Sequence, residues 1–299
     1  MSVIYFARGN EIDMTATWRD YWELTKPRIA FLVLVTAAFG FFLGGQGIHA
    51  PLLFCCLLVG TGLTTCGSSV LNHYLERDVD GLMKRTRNRP LPTGRVKPGT
   101  ALSMGFVLVL SGVFFLLFTA GLLTAFLALL SAFLYVVVYT PMKRQNWLNT
   151  SLGAVPGALP PVGGWTAATG AIDPGAVVLF LILFAWQHPH FYAIAWIFRD
   201  DYRRGGFKML PVVEPDGNST CWQVMGYLVL LLIFSVLPSF MGLTGPFYLA
   251  GALVLGALFL ASGLALSFSR SVTSARRLLK ASVLYLPLLL VLSVVDAGF

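Results

Sequence analysis

The chain has 299 residues, 57% of them hydrophobic and only 11% charged, with a net charge of +8. A mean hydropathy of +0.76 and apolar runs along nearly the whole length exclude a soluble globular protein and leave no room for a separate soluble domain. The basic residues sit in short segments between apolar runs, which argues against a nucleic-acid surface as the source of the charge.

In chain order, the sequence predicts an all-α integral membrane protein with a single transmembrane domain over residues 1–299, of which 1–24 form a cytoplasmic N-terminal segment. The first thirty residues carry Arg8, Glu11, Asp13, Arg19, Asp20, Glu23, Lys26 and Arg28. They lack the apolar stretch of a signal peptide, so the first span is expected to be an uncleaved anchor. Nine spans are expected, at roughly 29–47, 52–72, 101–119, 122–139, 150–168, 175–198, 222–242, 246–268 and 278–295. Gly121 is the natural turn inside the long apolar block. The fifth span is interrupted by Pro156, Pro160 and Pro161, which a membrane helix tolerates only when packed against neighbours or lining a cavity. Cys55, Cys56, Cys66 and Cys221 show no C-x-x-C pairing and read as small packing residues.

Charge tests this count. With the N-terminus inside, nine spans place all 21 Lys and Arg on the cytoplasmic side and leave only Asp173 and Asp296 outside. Without the fifth span, Arg199, Arg203, Arg204 and Lys208 would lie on the wrong side. The positive-inside rule therefore predicts a multi-pass protein of the cell inner (plasma) membrane, N-terminus cytoplasmic and C-terminus outside.

The acids are concentrated. Asn72, Glu76 and Asp80 are spaced i, i+4, i+8, so a helix continuing past Leu71 points all three along one face. An amide and two carboxylates in a row form an oxygen-rich edge suited to Mg²⁺. Lys84, Arg85, Arg87 and Arg89 follow at once and suit a phosphate-bearing anion. Asp78 should leave that face and pair with Arg77, Lys84 or Arg85. A second acid-then-basic stretch, Asp200-Asp201-Tyr202-Arg203-Arg204, closes the sixth span; adjacent carboxylates cannot share a helix face, so one of them at most reaches a metal there. This weak repeat suggests two helical halves around a central intramembrane cavity that opens to the cytoplasmic side. Further cations, Lys26 and Arg28 before span one and Lys143 and Arg144 after span four, stand at the same side, where contact with lipid headgroups is the plainer reading. His188 and His190, flanking Pro189, are costly in an apolar span and point to a cavity or partner. Each could ligate haem iron, bind a carboxylate or hydrogen-bond within the bundle. His73 lies beside the same cavity.

These residues carry a resemblance. L-T-K-P-R-I (24–29), N-x-x-x-E-x-D-x-D-x-x-M-x-R-T-x-x-R-P-L-P (72–92), Y-T-P-M-K-R (139–144), L-N-T-x-x-G-A-V-P-G-A-L-P-P (148–161), W-Q-x-P-H-F (186–191) and D-Y-x-R-G-G-x-x-M-L-P (201–211) resemble the haem branch of the UbiA-type intramembrane prenyltransferases, the protohaem IX farnesyltransferases. The motifs are collinear over about 24–211; the last three spans match by hydropathy only. Two departures stand out. Glu76 occupies a position where that family usually has Asp, and neither Asp200 nor Asp201 is followed four residues later by the second Asp of the wider superfamily, so one Mg²⁺ is as consistent as two.

The resemblance implies transfer of a farnesyl group from farnesyl diphosphate to a vinyl group of haem b, giving haem O. It implies Mg²⁺ on Asn72, Glu76, Asp80 and Asp201, and diphosphate contacts from Lys26, Arg28, Lys143, Arg144 and Arg203. Arg85 and Arg89 would serve the diphosphate or the haem propionates, and His190, with His188 beside it, would contact haem. Membrane lipid and a haem A synthase are the further partners implied, and no nucleic acid. The rival readings are prenylation of an aromatic quinone precursor and a nine-span transporter.

Overall fold

The computed structural model describes residues 16–298; Arg8, Glu11 and Asp13 of the expected N-terminal segment, and Phe299, lie outside that range. Helices are the only regular secondary structure among the described residues. A short helix α1 (Trp18–Leu24) leads into α2 (Pro27–Gly44), α3 (Pro51–Asp80), α4 (Pro98–Thr119) and α5 (Leu122–Met142). Then follow α6 (Asn149–Thr169), α7 (Pro174–Ile197), the short α8 (Arg199–Arg204) and α9 (Leu210–Val213), α10 (Asn218–Phe240), α11 (Pro246–Ser269) and α12 (Val272–Val295). Five long helices begin on proline, whose missing N–H costs nothing in a first turn and whose fixed φ suits a helix start. Asp173 adds a side-chain cap to α7 by accepting from the amides of Gly175 and Ala176.

Eight of these helices are long and apolar enough to cross a membrane, and the chain is an integral multi-pass membrane protein. The ninth long helix, α6, is what separates this number from the nine spans expected. Its glycines and prolines lower its apolarity, yet all three prolines sit inside an unbroken helix. The reason is close backbone packing: a Cβ on Gly40 of α2 would collide with the Pro161 carbonyl, and one on Gly164 with that of Ala37. Small residues let helix backbones approach where no hydrophobic force separates helix from lipid. The same device seats α3 on α4, where a Cβ on Gly67 would stand 2.6 Å from the Val109 nitrogen.

Two boundaries differ from the sequence reading. Helix α12 starts at Val272, taking Arg276, Arg277 and Lys280 into its first turns. Helix α3 runs on to Asp80, so the polar row is helical to its last member. Gly121 turns the chain between α4 and α5 as expected, with φ of 91° that only glycine adopts readily. All four cysteines are free.

Candidate active site

The polar row at the end of α3 is buried: Asn72, Glu76 and Asp80 are 1%, 7% and 0% exposed. Such groups are expensive in a membrane protein unless partnered, and each has a cation. Lys26 sits in the left-handed region (φ 50°) between α1 and α2, and its Nζ donates to Asn72 Oδ1 at 2.6 Å. Lys143 Nζ donates to Glu76 Oε1 at 2.7 Å, and Arg89 to Asp80 Oδ2 at 2.8 Å. The last turns of α5, Leu134–Tyr139, are a π-helix, a widening often found at functional sites. It lets the Thr140 hydroxyl donate to the Tyr135 carbonyl at 2.8 Å while accepting from Asn72 Nδ2 at 3.0 Å. The amide of Asn72 is thereby oriented, oxygen toward Lys26. Thr86 donates to the Asp80 carbonyl at 2.9 Å and folds the loop after α3 back over the row.

These groups line a polar pocket of about 130 Å³, with Met83, Arg85, Tyr139, Tyr202, Phe207 and Met209 completing its walls. Two carboxylates face four cations there, so the pocket is net positive and suited to a polyanion. Lys26 shows the cost of this crowding: burial first, then the charge of Arg89, pushes its pKa down to about 7. Burial also opposes the charge of Lys143, but Glu76 outweighs it and holds the Lys143 pKa above the ordinary lysine value. One atom is left over: Asp80 Oδ1 is buried with no partner, an oxygen in want of a cation or donor.

The second acidic stretch is arranged differently. Asp201 is buried, but its Oδ1 accepts from the Lys84 amide at 3.0 Å and from Arg204, and it does not line the pocket. Burial would raise its pKa; the hydrogen bonds from Arg204 and Lys84 outweigh that and hold it below the usual carboxylate value. What the segment after α7 sends into the pocket is Tyr202, Phe207 and Met209. Its backbone is tied down by the Lys208 amide donating to the Lys143 carbonyl at 2.7 Å. Arg85 bridges the two loops, stacked 4.8 Å from the Phe198 ring and 5.3 Å from Tyr202.

The remaining expected residues divide. Arg28, Arg144 and Arg203 are exposed and outside the pocket, and Arg203 pairs with Asp200 at 2.9 Å. Asp78 leaves the row and stands 3.7 Å from Arg77, as its position on the helix requires. His73 is buried with neither ring nitrogen partnered and lines neither pocket nor cavity.

Beyond the polar pocket lies an apolar cavity of about 440 Å³, and Tyr139 and Lys143 line both. His190 and Trp186 of α7 face it. The Ser282 hydroxyl donates to the Leu279 carbonyl at 2.7 Å, so it accepts from His190 Nδ1, 2.7 Å away, and the His190 proton is fixed on Nδ1. The Nε2 lone pair is left for the cavity. Trp186 stacks on that ring at 4.8 Å and donates to the Ser282 carbonyl at 2.8 Å. His188 lies outside the cavity lining, stacked on Tyr227 at 3.4 Å and bonded to the Phe184 carbonyl and the Ser151 hydroxyl. Ile29, Leu32 and Val283 line the cavity yet are more than half exposed, at 52%, 56% and 54%, so it opens sideways between α2 and α12 to the surface that lipid would cover. Sequence reasoning missed the bridging role of Thr140, the walls formed by Tyr202 and Phe207, and Ser282. Only the aromatic neighbours of the second acidic stretch gave any signal of these.

Comparison with known proteins agrees with this geometry. Residues 33–286 match the UbiA prenyltransferase family. The chain is 44% identical over 287 residues to the protoheme IX farnesyltransferase of Solibacter usitatus (strain Ellin6076), covering 93% of this chain and 98% of that one. It is 47% identical over 278 residues to the protoheme IX farnesyltransferase of Salinibacter ruber (strain DSM 13855 / M31), with coverage of 93% and 98%. Among solved structures it superposes with a TM-score of 0.79 on digeranylgeranylglyceryl phosphate synthase, at 17% identity, covering 94% of this chain and 98% of that one. A UbiA homologue from Archaeoglobus fulgidus bound to GPP and Mg²⁺ superposes with a TM-score of 0.66, also at 17% identity, with coverage of 92% and 99%. With a family match over most of its length and relatives this similar end to end, the chain belongs to the UbiA prenyltransferase family.

Proposed function

We propose that this protein transfers the farnesyl group of farnesyl diphosphate to a vinyl group of haem b, releasing diphosphate and giving haem O. The observation that carries the reading is the junction at Tyr139 and Lys143, which joins a cationic pocket to an apolar cavity. A substrate with a diphosphate head and an isoprenoid tail needs both, in that order, and the relatives named protoheme IX farnesyltransferase supply the acceptor.

The residues fit a hard divalent cation: Asp80 Oδ1 is buried and unpartnered, and Glu76 and Asn72 stand one turn apart on the same face. Asn72, Glu76 and Asp80 would hold Mg²⁺, which when bound supplies positive charge to the leaving diphosphate. Asp201, already committed to Lys84 and Arg204, anchors the second loop instead. Lys26, Lys143, Arg89 and Arg85 bind the diphosphate and stabilise the charge that builds as its bond to the allylic carbon breaks. Arg28, Arg144 and Arg203 face the headgroup region instead. The cavity walls, mostly apolar with a hydroxyl-bearing strip on α3, limit water's access to the farnesyl cation before the vinyl carbon attacks. His190 offers Nε2 to haem, and His188 supports α7 from behind.

The basic residues further support a cytoplasmic pocket mouth, with the N-terminus inside and the C-terminus outside the cell inner membrane. A tag at Phe299 reached by reagent from outside intact cells is the expected result; a protected tag would mean that α6 does not cross. A haem A synthase that consumes the product is the partner this reading entails.

The direct test incubates purified protein with haem b, farnesyl diphosphate and Mg²⁺, followed by mass analysis of the haem. Haem bearing a hydroxylated farnesyl chain is expected. Recovery of unchanged haem, while an aromatic quinone precursor is prenylated, would refute the acceptor assignment.

A further inference from the structure

We propose that three hydroxyls on α3, those of Ser69, Thr65 and Thr61, hold and aim the water that supplies the hydroxyl group of the product. The proposal rests on the haem-farnesylation reading and names the groups that decide how that reaction ends.

The polar face of α3 does not stop at Asn72. Continuing down the same helix at spacings of three and four residues come Ser69, Thr65 and Thr61, and all three line the apolar cavity. Hydroxyls in a membrane helix commonly donate to the carbonyl four residues back. Thr64 and Ser68, also on α3, do so, to Gly60 at 2.9 Å and to Thr64 at 2.7 Å. Ser69, Thr65 and Thr61 make no such bond and no other within the protein. Ser69 is only 3% exposed, and its hydroxyl, with no protein partner, opens onto the cavity, where a ligand or water can satisfy it. Acceptors face the same space from α7. Gln187 spends its Nε2 on the carbonyls of Ala154 and Leu183, both at 3.0 Å, which leaves Oε1, and His190 presents Nε2. An otherwise apolar chamber thus holds enough free polar groups to order water along one wall.

That wall is where the chemistry needs it. At about 1.5 Å rise per residue, Ser69 lies about 4.5 Å below Asn72 along α3, and Thr65 about 10 Å below it. The allylic carbon leaves the diphosphate at the level of Ser69. The bond from that carbon to oxygen breaks, its electron pair staying with diphosphate. The vinyl π pair forms the new carbon–carbon bond and leaves a cation on the carbon next to the macrocycle. A lone pair of the held water then forms the carbon–oxygen bond, and the proton released passes to the diphosphate. Without a positioned water, the same cation loses a proton from the adjacent carbon and gives an alkene lighter by one water.

The test is the ratio of these two products, by mass spectrometry, from protein supplied with haem b, farnesyl diphosphate and Mg²⁺. In the double variant Ser69→Ala/Thr65→Val, total farnesylated haem stays within about threefold of the unmutated protein, and the ratio of alkene to alcohol rises about tenfold, the change that one lost transition-state hydrogen bond produces. Ser69→Thr, which keeps a hydroxyl, holds the original ratio. Thr64→Val, whose hydroxyl is bound to Gly60, also leaves it unchanged. A poorly folding double variant does not move a ratio, and the isosteric Thr65→Val alone gives the same readout. An unchanged ratio in the double variant, or equal loss of both products, overturns the proposal. Unmutated protein that adds no farnesyl group to haem overturns the underlying reading and the proposal with it.

Discussion

Two loops of this protein look alike in sequence and are put to different uses. After α3, Glu76 and Asp80 turn inward with Asn72 and take their cations from elsewhere: Lys26 from the start of α2, Lys143 from the end of α5, Arg89 from the following loop. After α7, Asp200 and Asp201 take their arginines from their own helical turn, at i+3. Asp200 and Asp201 are paired by neighbours in sequence, whereas Asn72, Glu76 and Asp80 gather cations from three segments around one charged chamber. The second loop contributes aromatic cover, through Tyr202 and Phe207, over charges built by the first.

The sharpest way to break this contrast is at the row itself. Asp80→Asn keeps an acceptor for Arg89 but removes the charge beside the orphaned Oδ1, and should reduce turnover by about 100-fold or more, with folded yield maintained. Diphosphate release at limiting Mg²⁺ measures it. Glu76→Asp, one methylene shorter, should be tolerated. Lys143→Met comes next, because it removes the cation at the junction of pocket and cavity while preserving the side-chain length. A loss of about tenfold to 100-fold in kcat/KM for farnesyl diphosphate is expected; an unaltered value would separate the two chambers.

Lys26 permits a pH experiment. With its pKa pushed down to about 7, it is mostly neutral at pH 8. An arriving diphosphate favours the ammonium form and raises that pKa, so binding takes up a proton. Titration of magnesium diphosphate at pH 8 in two buffers of different ionisation enthalpy should reveal the uptake, and Lys26→Met should abolish it. Below about pH 6 the amine is already charged, and the uptake should vanish. The smallest effects belong to cations outside the chamber. Arg144→Ala and Arg203→Ala should each change turnover by less than about twofold, as exposed substitutions usually do.

The residues show how much of this could be read in advance. The row on α3 was legible because i, i+4, i+8 spacing has one meaning on a helix, and Asp78 fell off the face for the same reason. Charge segregation asks for a span at 150–168; the structure has a helix there, α6, which hydropathy passes over and which is held by backbone contacts at Gly40 and Gly164. The fate of Asp201 was not legible: its partner amide on Lys84 is 117 residues away, and nothing in a D-D-Y-R-R string says which way the carboxylates turn. Nor were the π-turns ending α5, which bring Thr140 under Asn72, or the rotamers that leave Ser69 and Thr65 unbonded while Thr64 and Ser68 bond back to their own helix.

The central claim, that one loop builds the charged site and the other braces it, is tested most directly at Asp201. The magnesium dependence of turnover and the thermal midpoint are measured together for Asp201→Asn. The account predicts an unchanged magnesium requirement, turnover within about threefold, and a lower midpoint from about 1–3 kcal/mol of weakened buried hydrogen bonding to Lys84 and Arg204. A raised magnesium requirement, with turnover falling as far as in Asp80→Asn and the midpoint unmoved, would contradict it.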